Sequence, residues 1–474
     1  MIIKTRHVKT PYKVVHLRTF RTTFRRKDHK INTHTVYLGG SGHDLGSVKV
    51  LAKVFVEVFG CSANQADAEI ASGLLIEAGH TILDNPEGAD SVVILTCTVK
   101  TPTENRVLKR IRELYATGVP LVVAGCMPKA QRCLVEGAAP NACMVGPDDL
   151  PHVTGAVEAS ISGCRIVETG GGPYERTCLP RFRINPVIHI APISSGCLGE
   201  CSYCIVRHAR GRLHSFPLDG IVEDVRRAVE GGCREVWVTA EDTAAYRWEG
   251  ARLPDLLEAL CGIDGRFRVR VGMMTPNQAE EVLGGLVEAF RSEKIFKFLH
   301  VPVQSGNDDV LRRMNRLYTV DDFRGLVGRF REAFPSVSLS TDVICGFPGE
   351  TEEQFADSLR LVEKVSPDVL NISRFWPRPG TDAAGMGGQL HGRDTKRRSR
   401  AMSELGRRIS EERNRDWIGW QGEIVVDELG RDGSVVGRNY AYKLIVIPDG
   451  PALGDFVEVT VTDAMRGYLI GKIV

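Results

Sequence analysis

Three apolar runs in the first third of the chain each stop at a cysteine: "VFVEVFGC" at Cys61, "SVVILTC" at Cys97 and "PLVVAGC" at Cys126. Between them lie "DAEIASGLLIEAG" and "ENRVLKRIRELYATG", whose apolar residues recur at helical spacing. Strands that alternate with helices build a parallel sheet. The residues just past parallel strands then share one edge, where open α/β sheets bind ligands. Strand direction alone thus brings together three cysteines that are far apart in sequence. Taken singly, each is a buried packing residue; taken together, they are a metal-binding trio.

The alternation resumes near residue 183. "VIHIAPI", "REVWVTA", "FRVRVG", "KFLHVPV", "VSLSTDVI" and "VLNISRFW" are candidate strands, separated by helical stretches such as "DGIVEDVRRAVEGG" and "EEQFADSLRLVEKV". Six βα units make an incomplete relative of the eightfold barrel, with its chemistry at the C-terminal mouth of the strands. The first of these strands runs into "SSGCLGECSYCIVRHARGRLHS", which carries Cys197, Cys201 and Cys204 in C-x3-C-x2-C spacing. A structural zinc site wants four ligands, whereas a 4Fe-4S cube held by three thiolates keeps one iron open for a bound molecule. A zinc ion completed by His208 or His214 is the other reading of the same loop.

At 474 residues with 43% hydrophobic composition, the chain has material for two or three domains. Thirteen cysteines are an odd number, no secretory segment opens the chain, and no apolar run approaches the roughly 18 residues of a membrane span. These features predict a cytoplasmic protein with no membrane association, in which grouped cysteines hold metal. The remaining Cys133, Cys143, Cys164, Cys178, Cys233, Cys261 and Cys345 are expected to be buried packing residues.

The net charge of +2 means that any nucleic-acid surface must come from local clusters. One cluster is a basic N-terminal extension over 1–51, expected to be mobile, with ten Lys/Arg and one acid in its first thirty positions. The other is an Arg-rich helix from about 393 to 413. Five short strands follow, "GEIVVDEL", "SVVGRN", "YKLIVIP", "DFVEVTVTD" and "YLIGKIV", the count of a small OB-like barrel. With six Lys/Arg against nine Asp/Glu over 414–474, that barrel is net acidic, so Arg438, Lys443 and the preceding helix are the expected phosphate-attracting groups.

The two cysteine trios, with "FGCSANQADAE", "LTCTVKTPTENR", "AGCMPKAQ", "CSYCIVRHARG", "FLHVPVQSGNDDVLRRMNRLYTVDDF", "TDVICGFPGETEEQF" and "RPGTDAA", resemble the methylthiotransferase family of the radical S-adenosylmethionine (SAM) superfamily. The forms "CSANQADAE" and "CSYCIVRHARG" are most similar to its archaeal and eukaryotic branch, which acts on N6-threonylcarbamoyladenosine in tRNA. The resemblance implies an α/β architecture: an N-terminal parallel-sheet domain at 52–160 with an auxiliary cluster, a partial (β/α)6 radical SAM barrel at 183–412, and a C-terminal TRAM domain of OB type at 413–474. It implies two 4Fe-4S clusters, one held by Cys61, Cys97 and Cys126 and one by the catalytic Cys197, Cys201 and Cys204, together with SAM. The expected reaction adds a methylthio group at carbon 2 of the adenine at position 37, in the tRNA anticodon loop. It consumes two SAM molecules, electrons from an external donor and sulfur of unidentified origin. Rival readings are the same chemistry on isopentenyladenosine tRNA or on a ribosomal protein side chain, and a non-catalytic iron–sulfur RNA-binding protein.

Strand direction also carries polar residues to the barrel mouth. Glu241 and Asp242 in "TAEDTAAY", Gln304 and Ser305 in "VPVQSG", and Asp342 are expected cofactor contacts, with strand-end capping as the alternative. Tyr203, just before the last cysteine of its trio, joins them through the resemblance. Arg207, Arg210 and Arg212 flank the loop and are expected to meet phosphates or the cofactor carboxylate, or else solvent.

Overall fold

The computed structural model describes residues 51–474, so nearly all of the basic extension at 1–51 lies outside the described residues. Strands β1 (Lys53–Val58), β2 (Thr81–Leu83), β3 (Ser91–Thr96), β4 (Leu121–Gly125), β5 (Cys143–Val145) and β6 (Val167–Glu168) form one parallel sheet in the order β2-β1-β3-β4-β5-β6. β3 and β4 are buried at every position, as strands covered on both faces must be, and this is why they read as unbroken apolar runs. Helix α1 (Ser62–Glu77) helps to cover one face through Ala68, Ile70, Ala71 and Leu75. Helix α2 (Thr101–Ala116) covers the other through Val107, Leu108, Ile111 and Leu114.

The six strands expected after residue 183 all form: β7 (Ile188–Pro192), β8 (Glu235–Thr239), β9 (Arg268–Val271), β10 (Phe298–His300), β11 (Ser338–Cys345) and β12 (Val369–Arg374). They make two parallel three-stranded sheets, β9-β8-β7 and β10-β11-β12, joined by a parallel bridge between Val269 and Ile295. Strand order therefore follows chain order, as in a barrel left open between its first and last strands. Two of the outer helices, Val320–Ala333 and Glu352–Val365, start with capping boxes, Thr319 with Asp322 and Thr351 with Gln354.

The Arg-rich helix, α3 (Gly392–Arg415), spends part of its charge on the barrel. Met402, Gly406 and Ile409 are buried, and a Cβ on Gly406 would lie 2.9 Å from Leu370. Arg398 is itself buried and reaches Glu350 and Glu352 at 2.7 and 2.6 Å, Arg408 pairs with Glu363, and Arg413 pairs with Asp368. Arg397, Arg398, Arg408 and Arg413 thus fasten the helix to the barrel, while Arg393, Lys396, Arg400 and Arg407 stay exposed.

The C-terminal strands β13 (Gln421–Leu429), β14 (Val435–Asn439), β15 (Leu444–Ile447), β16 (Phe456–Met465) and β17 (Tyr468–Ile473) close into a barrel in the order β13-β14-β15-β17-β16. Its β14–β15 turn plugs the bottom of the larger barrel, where the parallel strands begin. Tyr442 packs against Phe296 and Phe298 and donates to Glu235 at 2.9 Å, while Lys443 reaches Asp368 at 2.7 Å. Arg438 is held by Asp427 and Glu428. Of the two residues expected to attract phosphate, Lys443 is thus a docking residue and Arg438 is balanced by acids on the neighbouring strand of its own barrel. The seven remaining cysteines also divide differently from expectation: Cys143, Cys233 and Cys345 are buried and Cys261 half-buried, but Cys133, Cys164 and Cys178 are exposed. Among the described residues no helix is long and apolar enough to cross a membrane.

Candidate functional site

Cys61, Cys97 and Cys126 follow β1, β3 and β4 directly, so they stand on one edge of the sheet. Asn64, on the first turn of α1, gathers their loops. Its Nδ2 donates to the carbonyls of Phe59 and Thr96, each at 2.8 Å, and its Oδ1 lies 3.7 Å from Cys126 Sγ. Thr96 ties the second loop to the third, donating to Ala124 O at 2.7 Å and accepting from the Met127 N–H at 3.2 Å. Gly125, with φ +90°, makes the approach possible, since a Cβ there would sit 2.9 Å from Thr96 O.

The second trio lies at the mouth of the barrel, in the loop after β7. Gly196, with φ +76°, precedes Cys197 and passes so close to Arg212 that a Cβ would meet its carbonyl at 2.1 Å. The loop then turns back over itself: a Cβ on Gly199 would lie 3.4 Å from Cys197 Sγ and 3.6 Å from Cys201 Sγ. Cys204 sits one turn further on, where its N–H donates to Cys201 O at 3.0 Å. The C-x3-C-x2-C loop offers three thiols, one fewer than a structural zinc site takes.

The domains that carry the two trios interlock. Ser62, beside Cys61, lies 2.6 Å from Thr239 at the end of β8, and Ala66 packs on Ile188 and Ile190. Arg210, from the short helix Val206–Arg210 after the second trio, is buried and reaches across to Asn64 at 2.8 Å and Asp67 at 2.7 Å, while Glu241 lies 3.3 Å from its Nε. Arg378, in the "RPGTDAA" stretch, enters the N-terminal domain from the other side. It donates to Thr98 at 3.1 Å, Thr101 at 3.0 Å and Gln131 at 3.1 Å, and pairs with Glu104. Arg210 is therefore a latch between domains rather than a phosphate contact. Arg207 pairs with Glu200 at 2.6 Å, and Arg212 is exposed.

The other expected mouth residues divide. Glu241 is held by Arg210, and its Oε2 is buried with no partner. Asp242 accepts from the Thr275 N–H at 3.1 Å, and Asp342 lies 2.7 Å from His300 Nε2 across the barrel interior. Gln304 takes φ +68° and bridges to Val343, with its N–H on Asp342 O at 2.8 Å. Ser305 turns away: its hydroxyl is buried against Ser358 of the outer helix, 3.4 Å distant, past the left-handed turn at Gln304. Tyr203 packs beside Phe347 and Phe375. Sequence reasoning missed Asn64, Arg316, Tyr318 and Arg378. All four lie within or beside the quoted motifs, and nothing local distinguishes them from their neighbours.

Burial pushes the Cys126 and Cys197 thiols up to about 12 and the Cys204 thiol to about 11, and raises Cys97 as well. Left to themselves these thiols stay protonated at neutral pH, which disfavours a nucleophilic cysteine. Metal binding displaces the proton outright and favours the thiolate. Asp242 is raised to about 6, chiefly by burial and against the Thr275 hydrogen bonds.

Residues 53–146 match the uncharacterized protein family UPF0004, residues 191–362 the radical SAM superfamily and residues 421–474 the TRAM domain. A protein of Methanothermobacter thermautotrophicus named probable threonylcarbamoyladenosine tRNA methylthiotransferase is 44% identical over 88% of this chain and 99% of its own length. The chain belongs to the threonylcarbamoyladenosine tRNA methylthiotransferase family. The human protein named threonylcarbamoyladenosine tRNA methylthiotransferase is 34% identical over 89% of this chain and 74% of its own length. A radical SAM methyltransferase from Kitasatospora setae, TsrM, shares the fold at 15% identity, with a TM-score of 0.54 over 71% of this chain and 77% of that one. As a family member, the chain is a radical SAM enzyme that uses SAM and 4Fe-4S clusters.

Proposed function

We propose that this methylthiotransferase acts on N6-threonylcarbamoyladenosine at position 37, in the anticodon loop of cytoplasmic tRNA, and converts it to the 2-methylthio derivative. Cys197, Cys201 and Cys204 hold the cluster that binds SAM, and Cys61, Cys97 and Cys126 hold the auxiliary cluster. When bound, these groups supply an electron to break a carbon–sulfur bond of SAM, a radical able to remove the unreactive C–H of the adenine, and the sulfur to be transferred. The observation that supports this reading is the docking of the domain with the first cysteine trio on the barrel with the second, through Arg210, Ser62 and Thr239, residues that adjoin the two trios.

The chain's own residues set the reactants in place. Thr275 fixes Asp242, Arg210 fixes Glu241, and His300 fixes Asp342, so three carboxylates line the mouth as hydrogen-bond acceptors for polar groups of the cofactor. Gln304 lies beside them and Tyr203 packs beneath the loop. Ala66, Ile188, Ile190 and Trp237 form an apolar wall that keeps water from the interior. A cleft of about 790 Å³ between the barrel, α3 and the TRAM barrel carries Arg270, His300, Asn371, Arg407, Arg466 and Tyr468, a lining that suits RNA phosphate and bases. Reducing electrons come from an external one-electron donor.

Mass spectrometry of tRNA nucleosides from a deletion strain tests the substrate. The 2-methylthio derivative of threonylcarbamoyladenosine should vanish and return with the wild-type gene, but not with Cys61→Ala or Cys201→Ala. Its persistence in the deletion strain, or loss of the isopentenyl derivative instead, refutes the assignment. Iron and sulfide analysis of anaerobically reconstituted protein tests the sites: each substitution should remove about half of the iron.

A further inference from the structure

Arg316 lies in "MNRLYT", outside every role assigned above. Its Nη1 donates to Cys201 Sγ at 3.0 Å and its Nε to the Tyr318 hydroxyl at 2.9 Å, while its guanidinium carbon lies 4.9 Å from the centre of the Tyr318 ring. Its Nη2 is buried and has no partner among the described residues. The Tyr318 hydroxyl lies 3.2 Å from Pro302 O and 3.0 Å from Val303 O, which fixes that ring to the rim of the barrel. Asn315, with φ +55°, donates to Glu200 O at 2.7 Å and pins the same segment to the cysteine loop. Arg316 is half-buried; buried Arg398 and half-buried Arg438 are held by carboxylates. Arg316 is engaged instead by a sulfur and a phenol. A guanidinium nitrogen held out of water without a counter-charge is costly, and the group in contact with this guanidinium that can supply one is the Cys201 sulfur site.

We propose that Arg316 is a positioning residue for the cluster at Cys197, Cys201 and Cys204: it holds Cys201 Sγ with one N–H, offers its free Nη2 to a second sulfur of the same cluster, and makes that cluster easier to reduce. The inference rests on the reading that these cysteines hold a cluster. Reduction adds one electron from a one-electron reductant and neither makes nor breaks a bond. The charge added is negative, and hydrogen bonds to cluster sulfurs from a fixed cation favour the reduced form.

The test is an EPR-monitored potentiometric titration of the anaerobically reconstituted full chain with low-potential mediators. It compares wild type, Arg316→Met, Arg316→Lys and Tyr318→Phe. In Arg316→Met, reduction of the cluster whose signal responds to added SAM should become at least tenfold less favourable, about 59 mV for a one-electron couple. Arg316→Lys and Tyr318→Phe should shift it less and in the same direction, and the auxiliary signal should stay where it is. An unmoved midpoint in Arg316→Met overturns the proposal, as does an equal shift of both signals. If Arg316→Met fails to retain iron, the other two variants decide: a lowered midpoint supports the proposal and an unmoved one overturns it. Failure of the underlying reading looks different, since Cys201→Ala would then keep its full iron content.

Discussion

Replacing Arg210 with methionine should loosen the interface between the N-terminal domain and the barrel while leaving both sheets intact. Arg210 is 4% exposed and contacts Asn64, Asp67 and Glu241. Removing one partner of a buried ion pair costs roughly 3–5 kcal/mol, because a charge is left uncompensated. Asp67 keeps its pairing with Arg176, so the stranded group is Glu241. Burial already raises the Glu241 carboxyl and Arg210 lowers it, so the variant carboxyl takes a proton instead of remaining charged. The loss should therefore fall near the lower end, about 3 kcal/mol, which is roughly a hundredfold at 1.4 kcal/mol per decade. Hydrogen exchange is the suitable assay, because global unfolding of a multidomain cluster protein is not two-state. Amides of α1 between Gln65 and Leu75 should exchange about a hundredfold faster, with β3 and β4 unchanged. In a double-mutant cycle, Arg210→Met with Asp67→Asn should show a coupling of at least about 1 kcal/mol. Wild-type exchange in α1, or effects that add within about 0.5 kcal/mol, would show that Arg210 holds nothing across the interface.

Gly125→Ala should strip the auxiliary cluster alone, because the new Cβ lands 2.9 Å from Thr96 O at φ +90° and strains the loop by roughly 1–3 kcal/mol; iron analysis should find about half the wild-type content, and full content would refute the loop geometry. Glu69 is buried and its carboxyl is raised from 4.5 to about 7, chiefly by burial and against Arg181 and the Ile184 N–H. A carboxyl raised on folding binds its proton more tightly in the folded state, so its contribution to stability is unimpaired below pH about 4.5 and falls as pH rises to about 7. At 1.36 kcal/mol per pKa unit the cost above pH 7 is about 3 kcal/mol. Glu69→Gln should recover most of that at pH 8 and little at pH 4.5, which hydrogen exchange in α1 at the two pH values would reveal; equal gains at both would contradict the assignment.

Regular elements were legible in the sequence where they are long and packed on neighbours of their own domain. The strands ending at Cys61, Cys97 and Cys126 and all six barrel strands were plain from apolar runs, and so was the five-stranded C-terminal barrel. β2, β5 and β6 were not, since strands of two or three residues are shorter than any period can register. Charge misled for a related reason. Arg210, Arg438 and Lys443 are balanced by acids up to 143 residues away in sequence, and composition counts a cation without locating its partner. Ser305 was misplaced because the strand ends at His300 and the chain turns through a left-handed Gln304, which no period reveals.

Strand direction explains why the first trio converges and loop spacing why the second does, but neither sets how the two domains meet. That orientation is set by contacts that the barrel contributes to the other domain. Thr239 meets Ser62, Ile188 and Ile190 receive Ala66, and Arg210 and Arg378 enter the N-terminal domain beside its cysteines. The two arginines also lower the Cys97 thiol against the effect of burial. Three thiolates on one edge, two of them buried, repel one another, and the cations that offset this repulsion belong to the neighbouring domain. Cluster binding and domain docking should therefore stabilise each other: the auxiliary edge becomes a good ligand set only once the barrel is in place, and the barrel holds its neighbour more firmly once that edge is charged.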